Sequence, residues 1–361
     1  MTPDPDPKRH PAIAGLSFLA AAAAGWAAAA AHVPLAWILG PLIATAIAAV
    51  LGLPVFAPLA GRRIGQVAVG TSIGLNVTPD ILVTIGFWLP VMVVTAVIAV
   101  ILSAAVSVPF ARFGRLDRKT AFFAMMPGGL SEMANLGHAA GARGEPIALS
   151  QALRVALLVI VLPPLIISLD IHGTATNGLD RDVLPWSGTL LTLGFGLAGV
   201  GLARLARINN PWMIGALAGA AFAASTELAP GRIPLPLYWF GQFLIGLSIG
   251  SRFKREIVVR LPRLFATSAA FVLVLAGILF AYAILLSRLT GLDLASTALG
   301  SSPGGLAEMA ITAQTLHLSV GLVTAFHVVR AFIVNGFTTA FWNALNRVGF
   351  FDRLERRVGR G

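Results

Sequence analysis

Apolar residues run along this chain in long blocks, each closed by a short polar break. In the first half the blocks cover 12–31, 35–53, 64–77, 81–108, 121–140 and 147–171. In the second half they cover 189–205, 212–228, 238–249, 261–286, 294–316 and 320–342. About 20 apolar residues in a helix cross the hydrocarbon core of a bilayer, so blocks of this length predict spanning or nearly spanning helices. The expected fold class is an all-α polytopic membrane protein. The longest polar segment, from Asp170 to Trp186, marks the boundary between the halves.

The halves are copies of one another. Gly65, Gln66, Gly70, Ser72, Ile73 and Gly74 reappear as Gly241, Gln242, Gly246, Ser248, Ile249 and Gly250. Pro127-Gly128-Gly129-Leu130-Ser131-Glu132-Met133-Ala134 reappears as Pro303-Gly304-Gly305-Leu306-Ala307-Glu308-Met309-Ala310. Both motifs keep one offset of 176 residues without a gap, and Arg154 and Arg330 keep it too; Trp37 and Trp212 differ by one residue less. The expected organisation is a membrane repeat over 12–171, an external linker over 172–187, a second repeat over 188–345 and a basic cytoplasmic tail over 346–361.

Composition agrees with the membrane. Hydrophobic residues make up 57% and charged residues 11% of the chain, with a mean hydropathy of +0.84; a soluble domain carries about 25% charged residues. The net charge of +11 sits mostly in short loops and at the ends, where it encodes orientation rather than nucleic-acid binding. Basic residues precede the first block (Lys8, Arg9) and follow the second (Arg62, Arg63) and fourth (Arg112, Arg115, Arg118, Lys119). In the second half they follow the first block (Arg204, Arg207) and the third (Arg252, Lys254, Arg255), and a further cluster ends the chain. The charge pattern is out of phase between halves whose sequences are in phase, which is the mark of inverted-topology repeats. The scheme closes with about ten crossings, both termini cytoplasmic in a bacterial inner membrane, and a fifth block in each half that makes no net crossing. That block is a re-entrant hairpin, or a broken helix if another block fails to span. The alanine-rich first block, which has a counterpart at 189–205, reads as a retained helix rather than a cleaved signal.

The interruption of the fifth block is the first candidate for chemistry. Pro127 removes a backbone donor and Gly128-Gly129 disfavours helix, so the chain breaks at membrane depth, where unpaired backbone groups need a buried or water-filled cavity. A half-helix restarting near Leu130 would aim its positive end at that cavity. Two such tips from inverted halves could build a transport site; a plain capped turn is the alternative. Glu132 and Glu308 are the carboxylates well inside apolar blocks, and a buried charge there needs a partner. Arg154 and Arg330 are the candidates, either as structural Glu–Arg pairs or as a site where arginine holds an anion and glutamate carries a coupling proton. His327 precedes Arg330 by three residues on one helix face, as Gln151 precedes Arg154. The candidate solute and ion site is therefore Pro127, Gly128, Gly129, Ser131, Glu132, Asn135 and Arg154 with Pro303, Gly304, Gly305, Glu308, His327 and Arg330. The glycine-rich stretches 65–74 and 241–250 read as close helix packing, with direct binding through Gln66, Ser72, Gln242 or Ser248 as the alternative. No cysteine is present, and the histidines lack metal-ligand spacing, so no metal, cofactor or catalytic residue is expected.

At these residues the chain resembles the AbrB family of bacterial membrane proteins, over about 14–345. The family has a duplicated membrane domain with a Pro-Gly-Gly-x-x-Glu element in each copy, and its members carry labels of ammonia monooxygenase or regulator of gene expression. More remotely, the break and its glycine-rich preceding helix are similar to the bile-acid symporter and cation/proton antiporter group, whose crossed broken helices form an ion and substrate site. That group offers Asn, Asp or Ser–Asn near the break, whereas here Ile311 stands where the first copy has Asn135. The resemblance thus implies proton coupling through Glu132 or Glu308 rather than sodium. The expected partners are a small solute, a proton and the lipid bilayer, with no nucleic acid; a homo-oligomer is left open. A membrane sensor that regulates gene expression is the second expectation. A monooxygenase would need a copper or iron site.

Overall fold

The computed structural model describes residues 11–169, 181–253 and 255–353. The expectations for the first ten residues, for most of the linker and for the end of the basic tail lie outside them. Among the described residues are fifteen helices. They are α1 (Pro11–Ala30), α2 (Ala36–Val50), α3 (Leu59–Gly74), α4 (Pro79–Gly114), α5 (Arg118–Met125), α6 (Leu130–Ala139), α7 (Gly144–Ser168) and α8 (Trp186–Leu205). Then come α9 (Pro211–Ser225), α10 (Leu235–Gly250), α11 (Arg255–Arg260), α12 (Pro262–Thr290), α13 (Leu294–Ser301), α14 (Leu306–Thr315) and α15 (Val320–Arg347). An isolated bridge between Val183 and Arg232 is the β pairing among these residues. Five helices, α4, α7, α8, α12 and α15, are long and apolar enough to cross a membrane, and α1, α2, α9 and α10 are shorter apolar helices. The chain is an all-α membrane protein.

Two compact units divide the chain, each drawing on segments from both sides of the linker. One comprises Met1–Gly86, Val159–Val258 and Ala307–Leu322; the other comprises Phe87–Leu158, Val259–Leu306 and Val323–Gly361.

In the first unit, glycines set how closely helices approach. A methyl group at Gly70 of α3 would lie 2.8 Å from the carbonyl oxygen of Met213 in α9, and one at Gly74 would collide with that of Leu217. At the copied positions in α10, Gly246 and Gly250 lie against the carbonyls of Ile38 and Leu42 in α2. The contacts are reciprocal: α3 meets α9 as α10 meets α2. Between the two sets, Gly65 of α3 faces Gly241 of α10, so that a methyl on either meets the other's carbonyl oxygen, at 2.8 and 3.3 Å. The glycine-rich stretches act here in packing, as read from sequence.

In the second unit the 121–140 block is split at its Pro-Gly-Gly. α5 stops at Met125, Met126–Gly129 is non-helical, and α6 restarts at Leu130. Lys119 Nζ, at the start of α5, donates to Ala140 O just past α6 at 2.7 Å, and Arg143 N donates to Thr120 Oγ1 at 2.9 Å. Entry and exit of the block therefore meet, and the break is the tip of a hairpin. Asp117 caps the first arm by accepting from Thr120 N, and Asp293 caps α13 by accepting from Ser296 N. Asp117 and Asp293 keep the 176-residue offset. α4 and α12 are tied by a hydrogen bond between Thr95 and Tyr282 at 2.9 Å, and α7 and α12 by one between Ser150 and Ser268 at 2.8 Å.

Candidate functional site

A helix that ends inside a membrane leaves its last carbonyl oxygens without donors. Pro127 adds to the deficit, because its nitrogen cannot serve Phe123 O, four residues back. Donors come instead from one face of α7. Gln151 Nε2 lies 3.1, 3.2 and 3.0 Å from the carbonyl oxygens of Phe123, Ala124 and Met126. One turn on, the Arg154 guanidinium forks: Nη1 donates to Met126 O at 2.5 Å and Nη2 to Gly128 O at 2.6 Å. Arg154 is 1% exposed and heads the largest fully buried side chains.

The second copy repeats this residue for residue. Arg330 Nη1 donates to Ser302 O and Nη2 to Gly304 O, the latter at 2.6 Å. His327 takes the place of Gln151: its Nε2 lies 3.0 Å from Leu299 O, the counterpart of Phe123 O. Its Nδ1 lies 2.8 Å from Arg330 Nη2. A guanidinium can only donate and a carbonyl can only accept, so this network assigns the ring as the neutral Nε2–H tautomer. Arg154 and Arg330, one from each half, are within electrostatic reach of one another.

Arg154 and Arg330 were the candidate partners of Glu132 and Glu308; in the structure each arginine forks onto backbone carbonyls flanking its own break. A break in a membrane helix creates carbonyl acceptors at the depth where an arginine needs partners, and the planar fork fits two of them at once. Glu132 instead folds back over Gly129, where any side chain would collide with its carboxylate. Gly129 is also the N-cap of α6 and offers no side chain to cap it.

The remaining candidates fall as follows. Pro127, Pro303 and Gly304 are buried, Gly128 and Gly305 half-buried, and Gly129 exposed. Ser131 and Asn135 are exposed on α6 and Glu132 is half-buried. Glu308 is buried, in the first turn of α14, and belongs to the other compact unit. The site-building residues that sequence reasoning left out are Asp117 and Asp293, whose signal was an Asp three residues before a hydroxyl residue at each arm's start. Gln151 was noticed as a position but not as a donor to the break. Among the described residues no group of three or more His, Cys, Asp or Glu is placed to hold a metal ion.

The family described as "Transition state regulatory protein AbrB" matches residues 37–346. A protein of Bacillus subtilis (strain 168), uncharacterized protein YhjN, is 26% identical over 357 residues, 91% of this chain and 91% of its own length. A protein of Escherichia coli (strain K12), provisionally named regulator AbrB, is 26% identical over 311 residues, 84% of this chain and 88% of its own. No solved structure matches.

Proposed function

The chain belongs to the AbrB family, and from that premise we propose that it is a proton-coupled secondary transporter of a small solute, with its site at the two Pro-Gly-Gly breaks. The observation that supports this best is the arginine fork at each break. Arg330 is held by two carbonyl oxygens and a neutral imidazole. None of these carries a charge, so its positive charge remains for a ligand. A guanidinium in a low-dielectric interior is costly unless an anion joins it. An anionic solute would lie against Arg330, and the half-helix opening at Leu130 adds its positive end. Glu132, in the first turn beside the break, is the proton carrier in this reading, with Glu308 its counterpart.

The reciprocal glycine contacts and the out-of-phase loop charge support inverted repeats in an inner membrane, with about ten crossings and both termini cytoplasmic. A reporter inserted in the 170–187 linker then lies outside the cell, and one after Arg255 lies inside.

Transport is tested with purified protein in proteoliposomes on a solid-supported membrane, screened against small anions under a pH gradient. Solute-dependent currents that are lost in Glu132→Gln or Glu308→Gln support the reading. If both variants move charge like the wild type, the coupling role fails; if no anion gives a current, the transport role fails. The family's description and the name of the Escherichia coli relative favour a second reading, a membrane protein with regulatory output. Its mark would be altered transcription on deletion that Arg330→Met restores as well as the wild type does.

A further inference from the structure

The first compact unit carries a second cationic feature, far in sequence from the breaks and absent from one of the two copies. α2 and α9 begin alike: each N-cap residue, Leu35 and Asn210, is left-handed, with φ of 59° and 54°. Each is followed two residues later by a tryptophan, Trp37 or Trp212. In the first copy Trp37 stacks on Trp239, with ring centroids 6.2 Å apart and planes at 18°. The residue that corresponds to Trp239 in the other half is Arg63, and Arg63 sits over Trp212 at 5.2 Å from the ring centroid. Arg204, at the end of α8, lies over the same ring at 5.8 Å. Where one copy has an aromatic pair, the other has one indole carrying two guanidinium groups.

Both arginines are exposed. Among the described residues neither has an ion-pair partner, since the carboxylates in ion pairs are Asp352 and Asp117. Trp212 is fixed from behind by packing on the core cluster of Val67, Val200 and Ala216. The α9 terminus lacks a side-chain cap, because the Asn210 carboxamide oxygen is taken by Gln66 Nε2 at 2.9 Å. Two like charges placed together on a rigid aromatic floor, beside an uncapped helix start, make a cradle for a phosphate. The neighbours decide which phosphate. Leu205 beside Arg204 is 81% exposed and Ile64 beside Arg63 is 53% exposed, which gives an acyl chain a place to lie next to its headgroup.

We propose that Arg63, Arg204 and Trp212 bind the phosphate of an anionic phospholipid, with the acyl chain against Ile64 and Leu205. Surface arginines add to affinity for anionic lipid one by one, and arginine serves here as both stacking plate and phosphate fork. The inference rests on this geometry and stands whether or not the breaks move a solute.

The experiment uses the full chain in nanodiscs of phosphatidylcholine doped with phosphatidylglycerol whose acyl chains are brominated near the headgroup. Bromine quenches nearby tryptophan. Brominated phosphatidylglycerol is expected to quench more than the same dose of brominated phosphatidylcholine, and the excess is expected to vanish in Trp212→Phe. In the double variant Arg63→Gln/Arg204→Gln the dose for half-maximal excess rises about thirty-fold. The double lysine variant, Arg63→Lys/Arg204→Lys, retains charge and folds as the wild type does, and it falls between the two. Arg288→Gln, an exposed arginine of the other unit, changes nothing. Equal quenching by the two lipids, or an excess that survives in the double glutamine variant, overturns the proposal. So does loss of the excess on adding inorganic phosphate but not chloride of equal ionic strength, which would make this a site for a soluble anion.

Discussion

Arg330 Nη2 donates to His327 Nδ1 across 2.8 Å, and this one bond orients a ring whose far side serves a different acceptor, Leu299 O. The first copy reaches the equivalent carbonyl with the amide of Gln151. A neutral donor at this position is therefore what both copies share, and the imidazole's capacity to titrate is not. His327→Gln should accordingly leave thermal stability in detergent within a degree or two of wild type. His327→Leu leaves a buried carbonyl without its donor, a loss of about 1–3 kcal/mol. If the glutamine variant unfolds as early as the leucine one, the equivalence is wrong.

Arg154 presents a sharper case, because its two hydrogen bonds come from one planar group. Arg154→Lys puts one nitrogen on a different stem where the planar fork reaches both Met126 O and Gly128 O, and Arg154→Met serves neither. The methionine variant should lose about 1–3 kcal/mol for each carbonyl left without its donor, and the lysine variant less. Thermal unfolding followed by intrinsic fluorescence gives the order directly. A lysine variant as stable as wild type would show that the fork is not what holds the break.

How much of this was legible in the sequence differs from residue to residue. The placement of the breaks followed from Pro127 and Pro303 with their paired glycines, since these residues act locally on their own backbone. The 176-residue offset was equally plain, and it carried over to the hydrogen bonds of Arg154 and Arg330. What the arginines bond to was not readable. A buried guanidinium accepts a carboxylate or a pair of carbonyls, and which carbonyls become orphans depends on where another helix stops. The Arg63–Trp212 contact was hidden for a related reason: each residue was seen in its own loop or block, but their meeting requires α3 to cross α9. Asp117 and Asp293 lay at the edges of their blocks, where a hydropathy reading stops, although their spacing to Thr120 and Ser296 is a local capping signal.

The helix crossings of the first unit make a prediction about small residues. A methyl group at Gly74 would press on backbone atoms of α9, Leu217 O and Ala221 N, which cannot rotate away. Gly74→Ala should cost about 1–3 kcal/mol. Gly201, also helical, has nothing within 4 Å of an added methyl, so Gly201→Ala should be neutral or stabilise by up to about 1 kcal/mol through the unfolded chain. Thermal shifts of the two variants, measured side by side in one detergent, decide the matter. Equal shifts would mean that the crossing is looser than the contacts with Leu217 imply.

Asp117 gives the pH dependence a definite sign. Burial pushes its carboxyl up, but hydrogen bonds from the hydroxyl and backbone N–H of Thr120, with Arg143 at 3.7 Å, outweigh that and hold it below the usual aspartate range. The folded protein therefore binds this proton less readily than the unfolded chain does. The stability that the charged cap adds is complete above the ordinary aspartate range, and it drains away as pH falls through that range to the lower folded value. Between about pH 6 and 8 it is constant. Removing the cap with Asp117→Ala should cost about 1 kcal/mol at neutral pH, while Asp117→Asn, which can still accept from Thr120 N, should cost less. Because the carboxyl is largely exposed, with 51% of its side chain accessible, solvent screening keeps the charge part of this small. The measurement is the difference in melting temperature between wild type and Asp117→Ala, taken from pH 7 down to pH 4. The two curves should converge toward acid, and a gap that widens instead would mean that the cap does not act through the charged carboxylate.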